Sequence, residues 1–521
     1  MIPNTPIYST MLTQLASLVT TVSPEREQIP VCAPFTGQQI GSVPICQAED
    51  VREALKRARM AQQAWAATPF AERRTIFLRY HDLLLRRQND LLDLLQIEAG
   101  KARHHTVEEV LDTAINARYY ADLAESALSP HRRAGVLPFL SQVWEYHHPV
   151  GVVGLISPWN YPLTMALSDA LPALMAGNAV ILKPSEETPF TALMGLQLLR
   201  EAGLPTNLFQ IVTGYGPDLG PHLIGAVDFI GFTGSTAVGR LVAQQAGQQL
   251  IKCSLELGGK NPMLVLDDAD LGRAVTGTVH NCFSNAGQLC VSIERVYVQR
   301  GIYEPFVTRL VEQTQALRLS KMIGYQKDSM GSLASADQLS KVSQHVDDAL
   351  AKGATLLTGG RARPDIGPYF YEPTILTDVT PDMLVYQEET FGPVVVIYPF
   401  DHVEDAIEWA NDSEYGLNAT IWSRDTHRAR SIARRIQCGT VNINDSYPAT
   451  WGAIDSPMGG MKQSGLSRRH GREGLIKYTE SQTVARQRLL PLTPLPGLKL
   501  SHYAMLMTIL VYLMKYLARL R

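Results

Sequence analysis

Between residues 150 and 266 short apolar runs alternate with helical stretches, and this alternation limits the fold more than any other feature of the chain. The runs cover 152–156, 179–182, 209–212, 228–231 and 263–266. Helical spacing fills intervals at 163–175, 192–202 and 237–246. Continuously apolar strands of this length are buried on both faces, as in a parallel sheet covered by helices. Such sheets bind ligands beyond the carboxyl ends of their strands. A second alternating region runs from 260 to 460, with strands expected at 296–298, 354–357, 394–398, 419–422 and 440–444. Helices are expected upstream at 49–65, 76–95 and 107–127 from their i, i+3, i+4 apolar spacing. The chain therefore reads as α/β, with two doubly wound α/β domains. Its 521 residues exceed what one core normally organises.

Composition narrows the function. A formal net charge of -3 gives no general attraction to nucleic acid. The thirteen histidines form no ligand pattern with acidic residues or cysteines, so no metal is expected. The six cysteines (Cys32, Cys46, Cys253, Cys282, Cys290, Cys438) contain no C-x-x-C pair, which suggests free thiols in a reducing cytoplasm. The first basic residue is Arg26, too late for a signal peptide.

The C-terminus has its own character. Pro491-Leu-Thr-Pro-Leu-Pro-Gly497 is a stiff linker, covering 491–499, before a tail at 500–521. From Tyr503 to Met514 only Thr508 interrupts the apolar residues. As a helix that run reaches about 18 Å, short of the roughly 30 Å of a bilayer core. Thr508, Tyr512, Lys515 and Arg519 fall on one helical stripe. Two readings stay open: a peripheral helix at the inner face of a membrane, or a tail packed on its own protein or a neighbouring subunit.

Five segments carry chemistry. Asn285-Ala-Gly-Gln-Leu-Cys290 sets a thiol beside a glycine turn, a nucleophile if its pKa is lowered and an inert core cysteine otherwise. Ser254-Leu-Glu-Leu-Gly-Gly-Lys-Asn261 places Glu256 at a strand end, as a general base or a turn carboxylate. In Ser157-Pro-Trp-Asn-Tyr-Pro162 the Asn160 amide can donate to an oxyanion or cap a turn. Gly231-Phe-Thr-Gly-Ser-Thr-Ala-Val-Gly239 opens a helix whose N–H groups suit phosphate, although its spacing is not G-x-G-x-x-G. Lys183 and Glu186 in Leu182-Lys-Pro-Ser-Glu-Glu187 can bond ribose hydroxyls.

In this order the segments resemble the NAD(P)-dependent aldehyde dehydrogenase superfamily over residues 25–490. Glu388-Glu-Thr-Phe-Gly-Pro393, Pro457-Met-Gly-Gly-Met-Lys-Gln-Ser-Gly465 and Tyr478-Thr-Glu extend the likeness. The resemblance implies Cys290 as nucleophile, Asn160 with the Cys290 N–H as oxyanion donors, and Glu256 as the base that hydrolyses a thioester. It implies a dinucleotide held by Ile156, Trp159, Lys183, Ser185, Glu186, Gly234, Ser235, Gly239, Leu257, Glu389 and Phe391. A Rossmann-like cofactor domain would span 25–135 and 150–258, and a catalytic domain 259–465. A small oligomerisation hairpin would use 136–149 and 466–490, with strands 142–148 and 484–489 joining a homodimer or homotetramer. Glu186 favours the free 2′-hydroxyl of NAD, while Lys183 keeps NADP open.

The substrate is implied less directly. Phe283-Ser-Asn-Ala-Gly-Gln-Leu-Cys-Val-Ser-Ile-Glu-Arg295, Ala362-Arg-Pro-Asp-Ile-Gly-Pro368 and Ser467-Arg-Arg-His-Gly471 resemble a bacterial subgroup classed as succinate-semialdehyde dehydrogenases. Where better-known enzymes of that activity place two arginines, this chain has Ser168 and Ser284, with Asp169 beside the first. A substrate carboxylate is poorly held without a cation. A medium- or long-chain aldehyde suits the apolar tail, with succinate semialdehyde as the alternative. An acylating enzyme using coenzyme A is disfavoured by Glu256. A non-catalytic binding role is disfavoured by the joint presence of Cys290, Glu256 and Asn160.

Overall fold

The computed structural model describes residues 6–136, 141–327, 329–488, 491–494 and 496–517. Several expected segments extend outside them: 137–140 of the hairpin, Leu489 and Leu490 of its return strand, Leu495 of the linker, and Arg519 and Arg521 of the tail. The chain divides into a large unit, 1–127 with 149–479, and a small one, 128–148 with 480–521.

The large unit contains two principal sheets. The first has the order Gly465–Leu466, Lys252–Glu256, Phe229–Thr233, Val152–Ile156, Ala179–Lys183, Phe209–Ile211. All pairs are parallel except Gly465–Leu466, which runs antiparallel to Lys252–Glu256. The chain starts at Val152–Ile156, builds outward to Phe209–Ile211, then returns to the other side at Phe229–Thr233. That reversal makes a switch point between Val152–Ile156 and Phe229–Thr233, where connecting loops diverge and leave a crevice.

The second sheet has the order Thr355–Thr358, Thr374–Thr377, Val394–Phe400, Ile293–Gln299, Asn261–Val265, Asn418–Trp422, Thr440–Ile443. Only Thr355–Thr358 is antiparallel. Met263, Val265, Val296, Val298, Val395 and Ile397 form the middle of its core, each almost fully buried.

The structure corrects several expectations. The run at 263–266 belongs to the second sheet, because the Gly258-Gly259 turn carries the chain out of the first. Its place there is taken by Lys252–Glu256. The helix expected at 163–175 is two, Pro162–Leu167 and Ala170–Met175. Pro172 has no N–H to give to the carbonyl four residues earlier, so helical bonding breaks at Ser168 and Asp169. The single helix expected at 76–95 is likewise two, Phe70–Arg86 and Gln88–Ala99, with Arg87 off helical geometry between them. Residues 466–479, expected with the oligomerisation element, pack in the large unit. Leu475 and Tyr478 are fully buried, and the Tyr478 ring lies 4.9 Å from that of Phe229.

In the small unit the expected hairpin is a three-stranded sheet. Ser141–Pro149 lies between Thr479–Gln487 and the short strand His131–Arg133. The tail is a helix, Leu500–Leu517, that exposes Leu500, Met505, Val511 and Tyr512. No helix among the described residues is long and apolar enough to cross a membrane.

Candidate active site

The loop after Val152–Ile156 carries Trp159 and Asn160, and its direction is set by backbone bonding. Ser157 N–H donates to the Lys183 carbonyl at 3.1 Å, and Pro162 starts the following helix. Asn160 is buried, and its Nδ2 donates to the Gln288 carbonyl at 3.0 Å. Asn285 Nδ2 donates back to the Asn160 carbonyl at 3.1 Å. These bonds join the first sheet's loop to the segment that carries Cys290.

Cys290 precedes the central strand Ile293–Gln299, at the end of an unusual turn. Asn285, Ala286 and Gly287 have φ of 50°, 54° and 72°, three consecutive left-handed residues. Asn261 Nδ2 donates to the Cys290 carbonyl at 2.7 Å and fixes the exit from the turn. Glu256 ends the last parallel strand of the first sheet. Cys290, Glu256 and Asn160 line one cavity of about 220 Å³, together with Trp159, Gly234, Ser235, Leu257, Glu389 and Phe391.

The electrostatics depart from the sequence expectation. Burial, then the charges of Glu256 and Glu389, push the Cys290 thiol up to about 12 rather than lowering it. Burial also raises Glu256 to about 7, with Arg469 and Lys477 opposing the rise. Its Oε1 has no hydrogen-bond partner among the described residues. Glu389 is raised to about 7 by burial and then by Glu294. Burial thus favours the neutral forms of these three acids.

A nicotinamide dinucleotide fits the residues present. The helix Thr236–Gln249 presents its N-terminus to the crevice, with Ser235 capping it through Val238 N–H. Trp159 and Phe391 meet edge to face with centroids 5.6 Å apart and form an aromatic corner in the cavity wall. Glu389 accepts the Gly259 N–H at 2.8 Å. A β-carbon on Gly258 would lie 2.5 Å from Glu389 Oε2, so the backbone there stays bare towards the cavity.

Five expected cofactor residues lie outside the cavity wall. Ile156 and Lys183 pair across adjacent strand ends of the first sheet. Lys183 is buried, and its Nζ donates to the Pro184 carbonyl at 2.9 Å and to Glu186 at 3.2 Å. Burial lowers its pKa while Glu186 opposes the change. Ser185 and Glu186 continue that turn. Gly239 sits in the first helical turn against Leu257 and acts through packing. Sequence reading missed Gln338 and Lys341, which reach the cavity from the helix Ala336–Ala351. They follow no motif, and only their i, i+3 spacing places them on one face. Leu289, Met165 and Trp451 were also missed, as ordinary apolar residues.

The family model described as Aldehyde dehydrogenase family matches residues 21–484. A Mycolicibacterium smegmatis protein, provisionally named a succinate-semialdehyde dehydrogenase [NADP(+)], is 50% identical over 473 residues, with 91% of each chain covered. The betaine aldehyde dehydrogenase of Bacillus subtilis is 37% identical, covering 89% of this chain and 95% of its own. The solved NAD+ complex of an aldehyde dehydrogenase from Bacillus cereus superposes with a TM-score of 0.84 at 35% identity, covering 88% of this chain and 93% of that one.

The turn before Cys290 yields a direct test. A β-carbon on Gly287 would lie 2.0 Å from the Gly392 carbonyl oxygen, at a φ of 72° that side chains resist. Gly287→Ala is expected to displace the loop by about 1 Å and lower dehydrogenase turnover on the order of 100-fold. Turnover within twofold of the parent protein would show that the loop position does not matter.

Proposed function

The chain belongs to the aldehyde dehydrogenase family, and on that premise we propose that it oxidises an apolar aliphatic aldehyde to its carboxylic acid with a nicotinamide dinucleotide. The observation that carries the proposal is the convergence of Cys290, Glu256 and Asn160 on one cavity. Trp159, Gly234, Ser235, Leu257, Glu389 and Phe391 would hold the dinucleotide there, with Lys183 and Glu186 at the neighbouring strand end. Bound there, the oxidised dinucleotide supplies a positively charged hydride acceptor.

The chain's own residues do the rest. Cys290 Sγ gives its proton to solvent water and attacks the carbonyl carbon, and Asn160 Nδ2 with the Cys290 N–H steadies the negative oxygen. After oxidation the acyl group is held on Sγ as a thioester. Glu256 takes a proton from water, whose oxygen attacks the acyl carbon; the bond to Cys290 Sγ breaks, the thiolate leaves, and the acid is released. A carboxylate at this position supports hydrolysis rather than transfer to coenzyme A.

The cavity wall supports the substrate assignment. A second cavity of about 160 Å³ shares Tyr161, Leu289 and Trp451 with the first and continues past Leu111, Ile115 and Tyr447. Its lining includes Glu108 and Asp112 and no Lys, Arg or His. Ser168 donates to Asp112 at 2.8 Å and Ser284 to the His280 carbonyl at 2.6 Å, so both hydroxyls are committed. Arg469 and Lys477 bond Asp169 at 2.8 and 2.9 Å. Although burial opposes it, they hold the Asp169 carboxyl well below the usual range. A carboxylate on the substrate would therefore find no cation in this lining, whereas an alkyl chain meets apolar walls.

Glu186 beside Lys183 supports NAD as the carrier, while the Mycolicibacterium relative is named for NADP(+). The exposed strand Thr479–Gln487, at a sheet edge, supports a homodimer or homotetramer built through edge pairing. The tail supports peripheral contact with the cytoplasmic face of a membrane. Its helix is exposed and apolar, and residues 481–521 contain no acid against six Lys or Arg.

Three outcomes follow. With Glu256 raised to about 7, the base is ionised above that pH and lost as the pH falls through it. Single-turnover acid release should drop about tenfold per unit below pH 7, and a flat profile from pH 5.5 to 8 would remove Glu256 as the base. Second, kcat/KM for decanal should exceed that for succinate semialdehyde with NAD or NADP, and a preference for the semialdehyde would overturn the apolar assignment. In the same series, a chain ending at Leu490 should keep its turnover with soluble aldehydes and lose cosedimentation with anionic vesicles.

A further inference from the structure

The helix Arg103–Leu128 carries a polar stripe that apolar periodicity does not explain. His105, Glu109 and Asp112 follow i, i+4, i+7 spacing and are all buried. Each side chain bonds a different part of the active-site wall. Glu109 Oε2 accepts Leu163 N–H at 2.9 Å and Thr164 N–H at 3.3 Å, which holds the helix that follows Asn160. Asp112 accepts Trp451 Nε1–H at 2.8 Å and the Ser168 hydroxyl at 2.8 Å. His105 Nδ1 accepts the Asn285 N–H at 3.1 Å.

The third bond reaches the turn that sets Cys290. A left-handed residue with a side chain is strained, so Asn285 and Ala286 in succession need support from their surroundings. Gln288 supplies part of it, with Nε2 donating to the Asn285 carbonyl at 2.9 Å and Oε1 accepting Ala334 N–H at 2.9 Å. Those bonds hold the carbonyl side of Asn285, and His105 holds its amide side.

We propose that His105 is a positioning residue for the oxidation: its Nδ1, by accepting the Asn285 N–H, fixes the left-handed turn that aims Cys290 Sγ at the carbonyl carbon. The ring must be unprotonated at Nδ1 to accept an N–H, so its proton resides on Nε2. Burial, with His104, His280 and Lys101 nearby, holds the imidazole well below its ordinary pKa and keeps that form. The inference rests on Cys290 as the nucleophile, a reading that Cys290→Ser checks separately.

The test is a pair of amide variants of the full-length protein. The Asn carbonyl oxygen sits near the position of Nδ1, and the Gln carbonyl oxygen sits near that of Nε2. His105→Asn keeps an acceptor for Asn285, and His105→Gln removes it with a similar polar group. We expect His105→Asn within about threefold of the parent kcat and His105→Gln at least about tenfold below it, on the scale of a misplaced nucleophile. KM for the dinucleotide should be unchanged in both. NADH or NADPH burst amplitude counts competent sites, so kcat per site reads geometry even where some protein fails to fold. Equal kcat per site in the two variants, or a loss confined to dinucleotide KM, would overturn the proposal. Loss of Cys290→Ser activity together with equal amide variants would refute His105 alone and leave the nucleophile standing.

Discussion

The reciprocal hydrogen bonds between Asn160 and the 285–288 segment are the constraint on which this site depends. Asn160 belongs to the loop beyond one sheet, and Cys290 to the approach to a central strand of another. Asn160 donates to the Gln288 carbonyl at 3.0 Å and accepts from Asn285 at 3.1 Å. An oxyanion donor is useful only when aimed at the place where charge develops, and on the proposed roles these bonds would set Asn160 and Cys290 against one another before substrate arrives. The buried stripe on the helix Arg103–Leu128 then holds both partners from behind.

The charge balance follows from the same enclosure. Burial raises Glu256, Glu389 and Cys290 together, and each carboxylate further discourages the thiolate. The resting cavity is therefore poor in negative charge despite three acidic groups. A cationic ligand would relieve all three, which links thiol activation to occupancy of the neighbouring crevice. Among the nearby cations, Arg469 and Lys477 are committed to Asp169 and offer little to a substrate carboxylate, while Lys341 reaches the cavity from the helix Ala336–Ala351.

Much of this was legible in the sequence. Strand 152–156 was placed at its observed bounds, and 179–182 and 394–398 fell within theirs, because continuous Val and Ile runs have one stable use in such a chain. Cys290, Glu256 and Asn160 could be named because their segments kept a family order. The thiol's electrostatics could not be read, since they depend on burial and on the charges of Glu256 and Glu389, which only the fold brings to Cys290. The helix Gly216–Ile224 was hidden by Gly and Pro, and Thr374–Thr377 by its brevity. His105 and Glu109 were missed for a different reason. Helical patterning looks for apolar faces, and this face is buried yet polar because its partners are backbone N–H groups of loops distant in sequence.

The central claim is that Cys290 carries the acyl group and Glu256 releases it. The most direct measurement is mass spectrometry of the acid-quenched Glu256→Gln protein after mixing with decanal and oxidised dinucleotide. The account predicts one decanoyl adduct, located on the Cys290 peptide, that disappears in a Cys290→Ser background. An unmodified Cys290 peptide during continued acid production, or an adduct on another cysteine, would contradict it.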